Sequence, residues 1–457
     1  MGLTSGPEKQ AILATDLEHV WHPMTQHSLL AGKPPMLVVE AFGSTVVDAD
    51  GKSYIDTMAG LWCVTAGYGQ TAIADRVYRQ MKTLPYYPHT AANVPAAELA
   101  RELSACLGGD LKRIYFTCSG SEANDAAFKL ARQFGRLARP GENRYKIIAR
   151  HRAYHGTTMG ALSATGQSER KWRFEPLVPG FLHAAPAYCY RCAFGKSYPA
   201  CDLECAAQIE TMILHEGPET VAAVIVEPVV GGGGILVPVD EYLPVVREIT
   251  RRYGVLLIAD EVISGFGRTG RMFGFQTYGI EPDIVTMAKG LTSAYLPLGA
   301  VATTGAIFSA FLGELEDRVH LVQVNTFGGH PVACAAGLAN LELLAEQRLV
   351  ERAADAGRRF LGALKDLERY PLVGEVRGKG MIFGIELVAD KKTKAPATPA
   401  IINRVVARAL EQGVILGKTT MTTFHLNNVI TLSPPLVITS EELDTVLAVL
   451  HATLKDL

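Results

Sequence analysis

Two stretches decide the reading of this chain: Val255-Leu256-Leu257-Ile258-Ala259-Asp260, and Asp283-Ile284-Val285-Thr286-Met287 followed by Ala288-Lys289. Each is a short aliphatic run that stops at an ionisable residue. Continuous apolar runs of this length, without period-two alternation, read as strands buried on both faces. Similar runs occur upstream at Ile114-Tyr115-Phe116-Thr117, Lys146-Ile147-Ile148-Ala149 and Ala223-Val224-Ile225-Val226-Glu227, separated by longer helical patterns. Strands alternating with helices predict an α/β domain with a parallel sheet covered on both sides. Ligands of such sheets sit beyond the carboxyl ends of the strands. Asp260 and Lys289 therefore fall where chemistry is expected.

The rest of the chain bounds the possibilities. Its 457 residues exceed one small core, since domains usually run to roughly 100–200 residues. With 48% hydrophobic residues, 20% charged residues and a formal net charge of −2, it reads as an ordinary folded protein with no polyanionic partner. The start, Met1-Gly2-Leu3-Thr4-Ser5-Gly6, has neither the basic run and apolar core of a secretory signal nor the Ser or Thr of a myristoylation site. Apolar stretches fall well short of the roughly 18–20 residues of a membrane helix, so a cytoplasmic protein without membrane contact is expected. Beyond residue 331 a long helical run, Arg/Glu-rich helices, short strands near Gly380-Met381-Ile382-Phe383-Gly384 and a last helix over 440–457 suggest a smaller α+β unit. Residues 391–399, polar and proline-punctuated, read as an exposed loop.

A third element joins Asp260 and Lys289. The turn Cys118-Ser119-Gly120-Ser121-Glu122-Ala123-Asn124 follows a strand and opens a helix. Backbone amides at a helix start, with Gly allowing close approach and a hydroxyl beside it, bind phosphate. A carboxylate against a pyridine nitrogen keeps such a ring cationic, and a lysine amine condenses with an aldehyde. Each piece alone is more simply a solvated strand end, a surface lysine or a plain N-cap.

Together, and with Asn325-Thr326-Phe327-Gly328-Gly329-His330-Pro331, these segments resemble class III (ω) aminotransferases of PLP fold type I, from Trp21-His22-Pro23 to Pro434-Pro435-Leu436. The resemblance implies a large PLP-binding domain (71–330) with a mostly parallel seven-stranded sheet, a small C-terminal domain (331–457) and an N-terminal segment (1–70) packed with it. It further implies pyridoxal 5′-phosphate as cofactor, carried by Lys289 with Asp260 at the ring nitrogen. Gly120 and Ser121 would hold the phosphate, and Thr326 would reach it from a partner subunit in a homodimer or tetramer with shared sites. Tyr154 and Val262 would flank the ring, with His155 and Glu227 close by. Trp62, Trp21 and Met24 would line the amine pocket, although ordinary aromatic packing explains the tryptophans nearly as well.

Relatives that use 2-oxoglutarate, such as ornithine and 4-aminobutyrate aminotransferases, carry an arginine where Thr431 stands and a glutamate where Gly232 stands; Ile263 replaces a ring-contacting glutamine. Losing an arginine fork weakens binding of a distal carboxylate. The pattern instead resembles the amine or ω-amino acid:pyruvate group, giving alanine from pyruvate, with an aminomutase or a 2-oxoglutarate-using enzyme as alternatives; a non-catalytic PLP-binding regulator is disfavoured by the intact Lys289 and Asp260. The mobile arginine of that group is absent too: Val414-Ile415-Leu416 runs into Gly417-Lys418. Lys418, or Arg173 as second choice, is the expected anion contact. The insert from Cys189 to Cys205 is similar to taurine:pyruvate aminotransferases, which makes taurine the leading donor, followed by β-alanine. Its cysteines (189, 192, 201, 205) have the spacing C-x2-C-x8-C-x3-C; zinc ligation and simple thiol packing both fit, and packing without metal is the preferred reading.

Overall fold

The computed structural model describes residues 6–30 and 32–457; Met1 to Ser5, on which the reading of the chain start rests, lie outside them. The centre is a seven-stranded sheet in the order Leu111–Thr117, Gly299–Thr304, Ile284–Met287, Leu256–Asp260, Val221–Val226, Lys146–Arg150 and Phe181–Ala184. Only Gly299–Thr304 runs against its neighbours. That strand, Gly-Ala-Val-Ala-Thr-Thr, and the edge strand Phe-Leu-His-Ala are not among the runs read from the sequence, the first being too small-residued and the second too short to stand out. A Cβ on Gly299 would come within 2.4 Å of the Thr117 hydroxyl, so the small residue is what lets these two strands meet.

Side chains alternate across the sheet, and the alternation carries through to the site. Ile225, Ile258 and Ile284 pack with Ala123, Ala127, Leu130 and Ala131 of the helix Gly120–Ala138. Val224, Leu257 and Val285 point the other way, into the larger core shared with the helices Tyr242–Arg252 and Pro331–Glu346. Alanines on the first helix let it lie close to the sheet, and truncating a fully buried residue such as Ile258 to Ala costs about 2–5 kcal/mol. Two residues beyond Ile258 and Ile284, the same parity places Asp260 and Thr286 under the start of that helix.

The second half of the molecule holds two further sheets. One joins Val38–Phe42, Thr45–Asp48 and Ser53–Asp56 to Val414–Ile415, which pairs parallel to Ser53–Asp56. The other is built on Val373–Lys379 and Ile382–Asp390, a hairpin where short strands were read near 380–384; Gly380 turns it at φ 57°. Within the stretch read as loop, Ala395–Pro396 pairs with Ile382–Asp390. No described helix is long and apolar enough to cross a membrane.

Candidate active site

A cavity of about 400 Å³ opens at the carboxyl ends of the central strands, and Lys289, Asp260, Ser121, Tyr154, Val262 and Glu227 line it. The sequence reading had placed Asp260, Lys289 and the Gly120 turn at one crevice, and the fold brings them there. Asp260 is 2% exposed and firmly held. Its Oδ2 accepts from His155 Nδ1 at 2.7 Å and from Asn124 Nδ2 at 2.8 Å; its Oδ1 accepts from the Val262 amide at 3.0 Å. Asn124 is itself oriented by Thr286, whose hydroxyl donates to its Oδ1 at 2.8 Å. The sequence had offered Asn124 only as part of a turn; its role depends on two strands and a helix meeting. The oxygen Oδ1 keeps acceptor capacity toward the cavity.

Lys289 is half-buried and starts a short turn just after its strand, in left-handed backbone at φ 45°. An L residue there costs about 1–3 kcal/mol and is found where surrounding structure fixes it, as at functional sites.

At the opposite wall, Ser119 caps the helix Gly120–Ala138 by accepting from the Glu122 amide at 3.2 Å, and the first intrahelical bond runs from Ala123 N to Ser119 O. The amides of Gly120 and Ser121 lie ahead of that bond and remain free for an anion. A Cβ on Gly120 would press Val262 Cγ1 at 2.8 Å, and one on Gly156 would meet Ser121 Oγ at 2.5 Å; glycine is what keeps this cradle open.

Glu227 is buried and bridges the Tyr154 amide and the Gly231 amide, each at 2.9 Å. Burial above all, with Asp260 nearby, pushes its carboxyl upward. Burial likewise raises the Tyr154 phenol.

The other expected site residues are distributed unevenly. Cys63 lines the cavity, whereas Trp62 is packed behind Ile263 with Val229 and Ile235. Trp21 is 89% exposed and touches His27 edge-on. Thr326 is exposed, its carbonyl accepting from the Tyr86 hydroxyl at 2.7 Å. Met24 and Arg173 line a second, outer cavity that shares Tyr154 with the first. Lys418 lines neither, because its ammonium is hydrogen-bonded to Asn403 of the helix Pro399–Glu411. Thr431 is buried in the strand Val429–Leu432, opposite Gly417 and beside Met58.

The four clustered thiols line a separate void of about 20 Å³ with Tyr198 and Tyr242. Among the described residues no group of three His, Cys, Asp or Glu side chains is placed to hold a metal ion. Arg191 of the insert and Tyr188 just before it both bond to the buried Glu386, which fastens this segment to the strand Ile382–Asp390.

Comparison with known proteins agrees with this geometry. Residues 30–454 match the family described as aminotransferase class-III, and the chain belongs to that family. It is 50% identical to an uncharacterized aminotransferase, YhxA, of Bacillus subtilis over 97% of its own length and 96% of the relative's. It is 42% identical to the taurine–pyruvate aminotransferase of Bilophila wadsworthia, over 96% of both chains. A crystal structure of a Bacillus anthracis aminotransferase superposes with a TM-score of 0.95 at 44% identity, covering 99% of this chain and 100% of that one. The protein is a PLP-dependent aminotransferase of PLP fold type I, and pyridoxal 5′-phosphate is its cofactor. The cavity suits that group: a helix start for phosphate, a carboxylate with spare capacity for the ring nitrogen, a lysine for the aldehyde, and a buried, unpartnered His155 Nε2 beside them.

Proposed function

We propose that the enzyme moves an amino group from an ω-amino acid or amine, such as taurine or β-alanine, to pyruvate, giving L-alanine, and works as a cytoplasmic homodimer with shared sites. The observation that carries this reading is the place where an arginine and glutamate would grip a second carboxylate: Thr431 is buried against Met58, and Gly232 has no side chain to offer. The match to a taurine–pyruvate relative supports it.

When bound, the cofactor supplies an aldehyde that captures amines and a ring that draws off electrons. The chain does the rest. Gly120 and Ser121 amides take the phosphate, with Thr326 of the second subunit completing the cup. Tyr154 and Val262 would flank the ring, and Asp260, steadied by His155 and Asn124, would keep a proton on the ring nitrogen. Glu227 ties the Tyr154 loop to the Gly231 loop. Lys289 would hold the cofactor through Nζ and, as a free amine, would serve as the base that takes a proton from the amine-bearing carbon of the donor. The second half-reaction reverses these motions with pyruvate.

The test is the visible absorbance of purified holoenzyme. Taurine, β-alanine or 1-phenylethylamine, each added without keto acid, is expected to bleach it, and pyruvate to restore it. Restoration by 2-oxoglutarate rather than pyruvate overturns the acceptor assignment; an isomerised amine formed without any keto acid overturns the transaminase reading.

A further inference from the structure

We infer that Arg170, rather than Lys418 or Arg173, is the cation that grips the anionic end of the substrate, which makes short amines and keto acids ending in a carboxylate or sulfonate the preferred class. The inference rests on the aminotransferase reading above and specifies which side chain selects within it.

The outer cavity, about 560 Å³, adjoins the cofactor cavity, with Tyr154 lining both. Its walls are largely apolar: Met24, Leu162, Trp172, Phe174, Met421 and Phe424. Within them Arg170 is partly buried, its guanidinium carbon 5.0 Å from the centre of the Tyr154 ring. Tyr154 lines both cavities and Arg170 stacks on its ring, so the cation stands one side chain away from the cofactor cavity, within the outer one.

Among the described residues no carboxylate lies within ion-pair distance of the guanidinium. Nε donates to Gln167 Oε1 at 2.6 Å, one terminal nitrogen reaches only the Met24 thioether at 3.0 Å, and the other makes a long contact to the Thr420 carbonyl at 3.4 Å. A thioether is a weak acceptor. Glu169 lines the same cavity and favours the charged guanidinium from beyond ion-pair distance, while its Oε2 accepts from Asn427 Nδ2 at 2.7 Å. A partly buried arginine whose hydrogen-bond partners are all neutral, in a pocket walled mainly by apolar side chains, is poised to take an oxyanion, for which its fork of N–H groups is shaped. Burial also holds its pKa below the usual arginine value, which an arriving anion would reverse.

The rival cations are placed less well. Arg173 is exposed and lies over the Trp172 ring, 4.4 Å from its centre. Lys418 is bonded to Asn403 and borders neither cavity. Arg170 and Arg173 stand three residues apart around a single short helical turn, Ser168–Lys171, so only the fold distinguishes them.

The experiment compares wild type, Arg170→Met, Arg170→Lys and Arg173→Met as holoenzymes. Half-saturation is measured in each half-reaction separately, with taurine, β-alanine and the uncharged-tailed 1-phenylethylamine as donors, and pyruvate as acceptor. Arg170→Met is expected to raise half-saturation by roughly 10–100-fold for the anionic compounds while changing 1-phenylethylamine by less than about threefold. Arg170→Lys should recover part of the loss. The donor and acceptor arms show whose anion is held, and selective loss in either supports the assignment. Equal losses for charged and uncharged donors, no loss, or a selective loss in Arg173→Met instead each overturn it. Should wild type use none of the donors, the proposed function fails by itself. Arg170 is then judged by calorimetric binding of propionate and methanesulfonate, which Arg170→Met must weaken with its unfolding midpoint and cofactor band unchanged.

Discussion

His155 Nδ1 and Asn124 Nδ2 converge on one oxygen of Asp260, at 2.7 and 2.8 Å, while the Val262 amide takes the other at 3.0 Å. Three donors from two loops and a helix therefore fix the carboxylate plane before any ligand arrives. Asparagine keeps the shape and removes the charge, at the cost of an NH₂ group facing one of these donors. Asp260→Asn is expected to fold and to bind cofactor but to lose about 10²–10⁴ in the rate of the amine half-reaction, the usual range for one proton-handling group. Stopped-flow bleaching of the visible band checks this; a variant with full rate would remove Asp260 from the mechanism.

Gly156 should be intolerant of even a methyl group. Its backbone sits at φ 140°, and a Cβ would come 2.5 Å from Ser121 Oγ and 2.8 Å from Ser121 Cβ. Gly156→Ala therefore pushes Ser121 away from the phosphate cradle, and the loss of a charge-assisted hydrogen bond predicts at least about tenfold weaker cofactor retention. Equilibrium dialysis against dilute pyridoxal 5′-phosphate measures it, and unchanged retention would count against Ser121 as a phosphate contact.

Glu227 accepts two backbone N–H groups in a fully buried setting. In Glu227→Gln, one amide faces an NH₂ group instead of an oxygen. A buried donor left unsatisfied predicts about 1–3 kcal/mol lower stability, read from the urea midpoint, with a larger drop for the apo form if the bridge orders the empty cavity.

His183 supplies an acid-sensitive element. Burial, and then Lys171 and the stacked His151, lower its pKa from 6.5 to about 4, and its Nε2–H donates to the Ala164 carbonyl at 3.1 Å. The unfolded chain binds this proton near pH 6.5, the folded one only near pH 4. Stability is thus fully present above about pH 6.5 and is lost as pH falls toward 4, by about 2–3 kcal/mol. His183→Gln keeps a donor without the titration, so its stability should fall less over this window; identical pH curves would refute the assignment.

The parts of the site legible in the sequence were those announced by local chemistry. A strand ending in Asp260, a strand followed by Lys289, and a Ser-Gly-Ser turn all carry their meaning within a few residues. His155 and Glu227 came only with the family resemblance. What escaped depends on distant packing: Asn124 becomes a ligand of Asp260 only once the Thr286 strand aligns beneath it, and Lys418 is captured by a helix fifteen residues away in sequence. The choice between Arg170 and Arg173 turns on how a four-residue helix docks, which no periodicity encodes. Within the fold, the aliphatic strands were read correctly, while Gly299–Thr304 was missed because close strand contact there selects small residues instead of β-branched ones.

The pairing of Ser53–Asp56 with Val414–Ile415 sets a schedule for biosynthesis. The Thr57 hydroxyl donates to the Ile415 carbonyl across 358 residues of chain. At about 5–20 residues per second, a ribosome needs roughly 20–70 s between making the two ends of that bond. Through that interval the early hairpin has an unpaired edge, a site for mispairing between neighbouring nascent chains. Expression yield should therefore respond to whatever shields residues 53–56 during translation: slower initiation that spaces ribosomes apart, or a holding chaperone, more than to added stability in the finished core.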